Sequence, residues 1–145
     1  MATITIKNLD KLSDKLKNLS TMDVESAVKK ATAFVHGQAK ELAPVDTRRL
    51  RGSIHMNVER KKTEVVGKVY TNLNYAPYVE FGTGIRGDGS YPYANELKGI
   101  NLVYKEDWQG MKSQPFLFPA IKGSEEYVKS IVNSDIHDKI RRLGG

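Results

Sequence analysis

Apolar residues recur at helical spacing in two long segments of the chain. The stripe of the first segment consists of Val24, Val28, Ala31, Val35 and Leu42. Pro44 disfavours a helical conformation for the residue before it, so this helix should span about 21–43. The stripe of the second segment consists of Ile121, Val128, Ile131, Val132, Ile136 and Ile140, which predicts a helix over about 119–142. Gly37 lies inside the first helix and suggests a close approach there.

Shorter apolar patterns predict strands. Ile4 and Ile6 alternate with polar residues, and leucines at helical spacing over 9–19 then predict a further helix. Residues 54–59 alternate, and after a charged turn the valine-rich segment 65–70 completes an antiparallel hairpin, with Gly67 suggesting a bulge. Alternation over 100–104 suggests one more strand. The pattern therefore predicts an α+β domain over 1–145, with an antiparallel sheet of three to five strands, an N-terminal helix pair and a long C-terminal helix.

Two aromatic blocks flank a long polar segment. The first, residues 74–84, contains Tyr75, Tyr78, Glu80 and Phe81, and the second, residues 114–120, contains Phe116 and Phe118. Glycine tolerates the backbone angles of a tight exit, so Gly82 and Gly84 should end the regular structure of the first block. We expect the two blocks to pack together. Because structureless loops of this length are uncommon, we expect residues 84–113 to bind partners and to be ordered only when a partner covers them.

Composition narrows the class of protein. The 145 residues suffice for one domain, but only 39% are hydrophobic, which favours additional burial between subunits. The net charge of +6 is spread along the chain, which favours a solvated surface over a nucleic-acid face. There is no cysteine, and no apolar run approaches the length of a membrane span, so we expect a protein made in the cytoplasm and without a membrane partner.

Candidate chemistry centres on a single carboxylate. His36, His55 and His137 lie on different elements without metal-ligand spacing, and no phosphate-binding loop occurs, so no metal or cofactor is expected. Glu80 lies between apolar residues and could act as a base. The favoured interpretation is an ion pair or a hydrogen bond to a backbone N–H, with the arginines of residues 47–51 as candidate partners.

Two other classes of function stay open at this point. A small basic nuclease or ribosome-dependent toxin would use Glu80, Arg49 and Tyr78. A DNA-binding accessory protein would use the positive charge, and salt would weaken its binding steeply.

The ordered motifs carry a family resemblance. They are APVDTRRLRGSI at 43–54, a valine strand with Gly67, YAPYVEFGT at 75–83, and QPFLFPA at 114–120. In this order, over about residues 24–132, they resemble the tail-component family of HK-type long-tailed phages, whose members are described as neck, tail-completion or head–tail joining proteins. The chain departs from the family pattern at Arg48, where a glycine usually follows the threonine.

The resemblance implies a non-enzymatic virion protein with a fold similar to tail-terminator and tail-tube proteins. It implies a ring, often of six copies, at the head–tail junction, assembled in the host cytoplasm. Its partners would be further copies of itself, the connector or stopper, the tail terminator and the tail tube, with DNA passing through the channel without sequence specificity. The residues expected at interfaces are Arg49, Arg51, Tyr75, Tyr78, Glu80, Phe81, Phe116 and Phe118.

Overall fold

The computed structural model describes residues 2–6, 21–45, 48–62 and 64–144. Its elements are β1 Ala2–Ile6, α1 Thr21–Leu42, α2 Arg48–Gly52, β2 Ile54–Arg60, β3 Val65–Thr71, α3 Ala76–Phe81, α4 Gly84–Gly87, a 3₁₀ turn Ala94–Glu96, and α5 Leu117–Gly144. The α+β class, the first strand and both long helices are confirmed. The helix predicted over 9–19 lies outside the described residues.

The sheet is antiparallel, with the strand order β1-β3-β2 in the described part of the chain. The predicted hairpin is confirmed, with Ile54 paired to Thr71 at one end and Arg60 to Val65 at the other. Three strands are the lower limit of the predicted range. The strand suggested over 100–104 is not formed, because that segment has no regular backbone pairing and most of it is exposed.

Gly67 is the point at which helix α1 comes closest to the sheet. The pairing on both sides of this residue is regular, opposite Ile6 and Val58, so the predicted bulge is wrong. A Cβ atom at Gly67 would overlap with Oγ1 of Thr32, a buried α1 side chain that donates a hydrogen bond to the Val28 carbonyl over 2.7 Å. The glycine is therefore needed for helix–sheet packing. Gly37, where a close approach was expected, has no atom within 4 Å of the position of a Cβ.

Helix α1 packs between the sheet and helix α5, and Val28, Ala31 and Val35 of its apolar stripe are buried. One cluster of buried residues includes Val35, Leu50, Val69, Val79 and Leu117, and so joins α1, α2, the sheet, α3 and α5. A second cluster, at the opposite end of the sheet, consists of Ala27, Val28, Ala31, Val65, Val132 and Ile136. Near this second cluster, Lys30 of α1 forms an ion pair with the buried Asp135 of α5 at 2.5 Å.

The segment 84–113 has a defined path within the single chain, so the expectation that it would be ordered only against a partner is wrong. Thr83 and Met111 form an antiparallel bridge, with an N–H···O bond of 2.9 Å in each direction. The amides of Ile85 and Arg86 donate to the carbonyls of Trp108 and Gln109, also at 2.9 Å. Backbone hydrogen bonds between the two ends of the segment therefore hold it.

Candidate partner surface

Glu80 joins helix α3 to the start of helix α5. Its Oε2 accepts the amide N–H groups of Phe116 at 2.8 Å and Leu117 at 3.0 Å, and its Oε1 accepts that of Phe118 at 3.1 Å. The first N–H groups of a helix have no intrahelical acceptor, and the positive end of the helix dipole favours an anion. The buried carboxylate therefore caps α5 from a position 36 residues earlier in the chain.

The same carboxylate accepts a hydrogen bond from a buried phenol. The hydroxyl of Tyr91 donates to Oε1 of Glu80 over 3.4 Å. Burial and, to a smaller extent, the charge of Glu80 raise the pKa of the Tyr91 hydroxyl well above its ordinary value. Tyr91 thus remains a neutral donor at physiological pH, and it ties the loop to the α3–α5 junction.

Four aromatic rings continue from this junction towards the surface. Phe81 meets Tyr91 with ring centroids 5.0 Å apart, Tyr91 meets Tyr93 at 5.7 Å, and Tyr93 meets Phe118 at 5.0 Å. Edge-to-face and tilted arrangements like these are the favourable ones for aromatic pairs. At the outer end, the ammonium group of Lys122 lies 5.3 Å from the Tyr93 ring centroid and pairs with Glu96. The two sequence blocks therefore pack together, as predicted.

Glycines allow the two ends of segment 84–113 to approach each other. Gly82, Gly84 and Gly110 have φ values of 80°, 63° and 62°. A Cβ at Gly110 would overlap with the carbonyl of Thr83, and one at Gly84 would overlap with that of Trp108. Any other residue would meet both backbone strain and a steric clash at these positions. The hydroxyl of Tyr104 donates to the carbonyl of Phe81 at 2.9 Å and closes the segment further.

Helix α3 and this closed segment carry large apolar side chains in solvent. We call Tyr78, Ile85, Val103 and Trp108 the loop surface; their side chains are 60%, 51%, 84% and 56% exposed. Tyr78, Val103 and Trp108 also line a groove of about 340 Å³, together with Tyr104, Lys105 and the turn 82–84. Apolar side chains gathered on one rigid surface are typical of a protein–protein contact.

A second exposed surface lies where helix α1 ends and helix α2 begins. We call Leu42, Val45, Arg48 and Arg49 the helix-end surface; Leu42 and Val45 are 47% and 60% exposed, and both arginines are exposed. Within the described residues, neither arginine forms an ion pair. Leu50 anchors this surface because it is buried in the core directly after the arginines.

The eight residues expected at interfaces lie in three environments. Arg49 and Tyr78 are exposed, whereas Glu80 and Phe116 are buried in the protomer. The other four, Arg51, Tyr75, Phe81 and Phe118, are partly exposed. Glu80 and Phe116 therefore act on a partner surface only through the residues that they position. The described structure brings Glu80, Phe81, Phe116 and Phe118 together at one junction and leaves Arg49 on another element.

Sequence reasoning found the cap on Glu80 but assigned it the wrong partners. A bond to a backbone N–H was one of the favoured interpretations and is confirmed. The arginines of residues 47–51 that the structure describes are not its partners, since its oxygens accept backbone amides and a phenol. Ile85, Val103 and Trp108 were not singled out, although the one tryptophan in a polar segment was a usable signal.

The geometry argues against catalysis by Glu80. Both carboxylate oxygens are occupied by hydrogen bonds inside the protein, and the side chain is 3% exposed. Over the described ranges, no three His, Asp and Glu side chains lie close enough to hold a metal ion. No helix in the part of the chain that the structure describes could cross a membrane. The arrangement instead presents two fixed surfaces on one small domain, as expected of a structural assembly protein.

Comparison with known families gives the class a name. The family model described as "Bacteriophage HK97-gp10, putative tail-component" matches residues 5–82. Because this match covers more than half of the chain, the protein belongs to the HK97-gp10-like family of phage tail components, and the resemblance seen in the sequence is confirmed. Neither the curated proteins nor the solved structures give a significant match. The family match ends at Gly82, so most of the loop surface lies outside it.

Proposed function

We propose that this protein forms a ring at the head–tail junction of a tailed phage, where it joins the tail to the capsid connector around the DNA passage. The observation that carries the proposal is the loop surface, an apolar surface held rigidly in solvent on a member of a tail-component family. A monomer with such a surface would gain stability by covering it.

Ring formation accounts for several features together. Heterologous contacts that close produce rings, which need two different surfaces on each copy, and the domain carries a loop surface and a helix-end surface. Six copies, with the connector or stopper on one side and the tail terminator and tube on the other, agree with the sequence resemblance. DNA would pass through the ring without sequence-specific contacts.

The nuclease interpretation receives no support from the site. Its three candidate groups were Glu80, Arg49 and Tyr78. Glu80 is enclosed and occupied by helix N–H groups, whereas Tyr78 and Arg49 are exposed on different elements. A general base must reach the proton that it removes, and this carboxylate faces the interior.

A complementation experiment tests the proposed position. We expect phage lacking the gene to accumulate filled heads and complete tails that do not join. Purified protein added to this lysate should restore joined particles in electron micrographs, and labelled protein should lie at the junction. Normal particles without the gene, or label confined to the distal end of the tail, would overturn the proposal. The variant Lys61→Glu/Lys62→Glu, altered at the exposed hairpin turn, serves as a folded control.

A further inference from the structure

We propose that copies of this chain assemble head to tail, with the loop surface of one copy docked on the helix-end surface of the next. This inference rests on the proposed ring and names the two faces that would form it. Its occupant is a second copy of the chain, because both halves of a complementary pair are present on one molecule.

Each surface carries a pair of charged side chains beside an apolar centre, acidic on the loop surface and basic on the helix-end surface. Glu106 and Asp107 directly precede Trp108, are exposed, and form no ion pair within the described residues. Arg48 and Arg49 directly precede the buried Leu50, and neither forms an ion pair with any residue that the structure describes. Arginine forms directional, two-point hydrogen bonds with carboxylates, which makes such a pairing specific.

Charge also argues against a symmetric dimer formed by one surface alone. An isologous dimer through the helix-end surface would bring Arg48 and Arg49 of the two copies close to each other. Like charges that face each other across an interface weaken binding, whereas opposite charges favour it and fix the orientation. Lys105 precedes the acidic pair and lines the groove, and the exposed Arg86 follows Ile85 on the same segment, so these cations offset the two negative charges. The pairing therefore depends on direct contacts of Glu106 and Asp107 with the arginines and not on the net charge of the loop surface.

Both surfaces are anchored in the same core. Leu50, adjacent to the arginines, and Val79, adjacent to Tyr78, belong to one buried cluster. Backbone bonds from Ile85 and Arg86 hold Trp108 and Gln109 in place. The direction from one surface to the other is therefore fixed within each copy, which is the condition for a repeated contact to close at a set number of subunits.

A charge-exchange experiment tests the contact in the full chain. We expect Arg48→Glu/Arg49→Glu and Glu106→Arg/Asp107→Arg each to weaken self-association at least about tenfold by mass photometry and sedimentation. An equimolar mixture of these two variants should regain assembly with the two chains alternating, because both contacts between unlike chains pair opposite charges. A chain carrying all four changes should recover the wild-type assembly. Lys61→Glu/Lys62→Glu changes the net charge by the same amount as Arg48→Glu/Arg49→Glu, but at a distant turn, and should assemble normally.

Because the chain has no native cysteine, crosslinking of introduced cysteines shows which two surfaces are in contact. We expect Arg49→Cys and Glu106→Cys chains, treated with a bis-maleimide, to crosslink to each other far more than to themselves. A chain with both cysteines should give a ladder that ends at the ring size.

Three results would overturn the inference. The first is crosslinking of Arg49→Cys to itself as efficient as its crosslinking to Glu106→Cys, which would indicate an isologous dimer. The second is absence of the mixed product, which would assign these surfaces to a different protein. The third is unchanged assembly of both charge variants. Each of these can occur while the complementation experiment still succeeds. Failure of complementation by the wild-type protein would instead refute the proposed junction role.

Discussion

At the scale of single residues, Gly67 sets the distance between helix α1 and the sheet. We expect Gly67→Ala to lower the free energy of unfolding by about 1–3 kcal/mol, because the added methyl group overlaps with Thr32 Oγ1 and the packed core cannot easily give way. Urea denaturation followed by circular dichroism measures the change. Gly37→Ala, in open space within α1, should instead stabilise the protein by about 0.5–1 kcal/mol.

A second substitution separates the clash from other causes. Thr32→Ala removes the obstructing oxygen. Adding Gly67→Ala to this variant should therefore lower the free energy of unfolding much less than it does in the wild-type background. This non-additivity is the expected sign of two residues in contact. Equal costs in the two backgrounds would mean that Gly67 matters for a reason other than Thr32.

Tyr91 should make the protein sensitive to alkaline pH. Burial, with the nearby Glu80 charge, raises the pKa of its phenol above the ordinary value of 10.0. The folded protein therefore keeps this proton while the unfolded chain loses it. The stabilising contribution is complete below pH 10 and is lost as the pH rises from 10 towards the higher pKa of the folded state.

The measurement is the free energy of unfolding of the wild-type protein and of Tyr91→Phe between pH 8 and pH 11. We expect the wild type to lose more stability than the variant above pH 10, because the variant has no phenol to titrate at this position. Burial also raises the pKa of Tyr104, so part of the decrease should persist in the variant. Parallel curves for the two proteins would contradict the assignment.

These residues show where prediction from the sequence stops. Glycine in a valine strand is compatible with both a bulge and a close helix approach, and only the position of Thr32 decides between them. The cap on Glu80 could be anticipated because a carboxylate among apolar residues needs a partner. The identity of that partner depended on a contact across 36 residues, which no local pattern contains.

At the scale of elements, Glu80 determines where helix α5 begins. We expect Glu80→Gln to destabilise the protein by about 1.5–3 kcal/mol, because a neutral amide replaces an anion that accepts three amide N–H groups at the helix start. Urea denaturation measures the loss, and exchange of the Phe116 to Phe118 amides should quicken. Glu106→Gln, at an exposed acid, should change stability by less than about 0.5 kcal/mol. A similar loss in both variants would contradict the capping role.

The order of segment 84–113 depends on close contact between backbones. Gly110→Ala and Gly89→Ala both place alanine at a positive φ, which costs about 1–2 kcal/mol. Only the Gly110 methyl group also overlaps with the Thr83 carbonyl, whereas Gly89 has open space around it. We therefore expect trypsin to cleave Gly110→Ala within 84–113 much faster than Gly89→Ala. Equal cleavage rates would show that the bridge does not hold the segment.

The elements themselves were predictable to different degrees for a physical reason. The long helices and the hairpin could be predicted because their buried residues recur at a regular spacing within a short stretch of sequence. Segment 84–113 has no such period, because its order comes from glycines that let Gly82 to Gly84 meet Trp108 to Gly110. The spacing of glycines alone gave no indication of which ends would meet.

At the scale of the whole molecule, Trp108 offers an optical test of the proposed assembly. It is the one tryptophan of the chain and is 56% exposed in the single protomer. If the loop surface docks on a second copy, the indole leaves water, so its fluorescence emission should shift to shorter wavelength as protein concentration rises. The shift should follow the same concentration dependence as the mass measured by sedimentation.

The charge variants make this optical signal specific. Arg48→Glu/Arg49→Glu leaves Trp108 and its surroundings unchanged within a protomer but weakens the surface that would cover it in the next copy. We expect its emission to stay at the long-wavelength position over a concentration range in which the wild-type emission shifts. Lys61→Glu/Lys62→Glu should behave like the wild type. If assembly proceeds without any change in Trp108 emission, a second copy does not cover the loop surface, which would refute the proposed pairing.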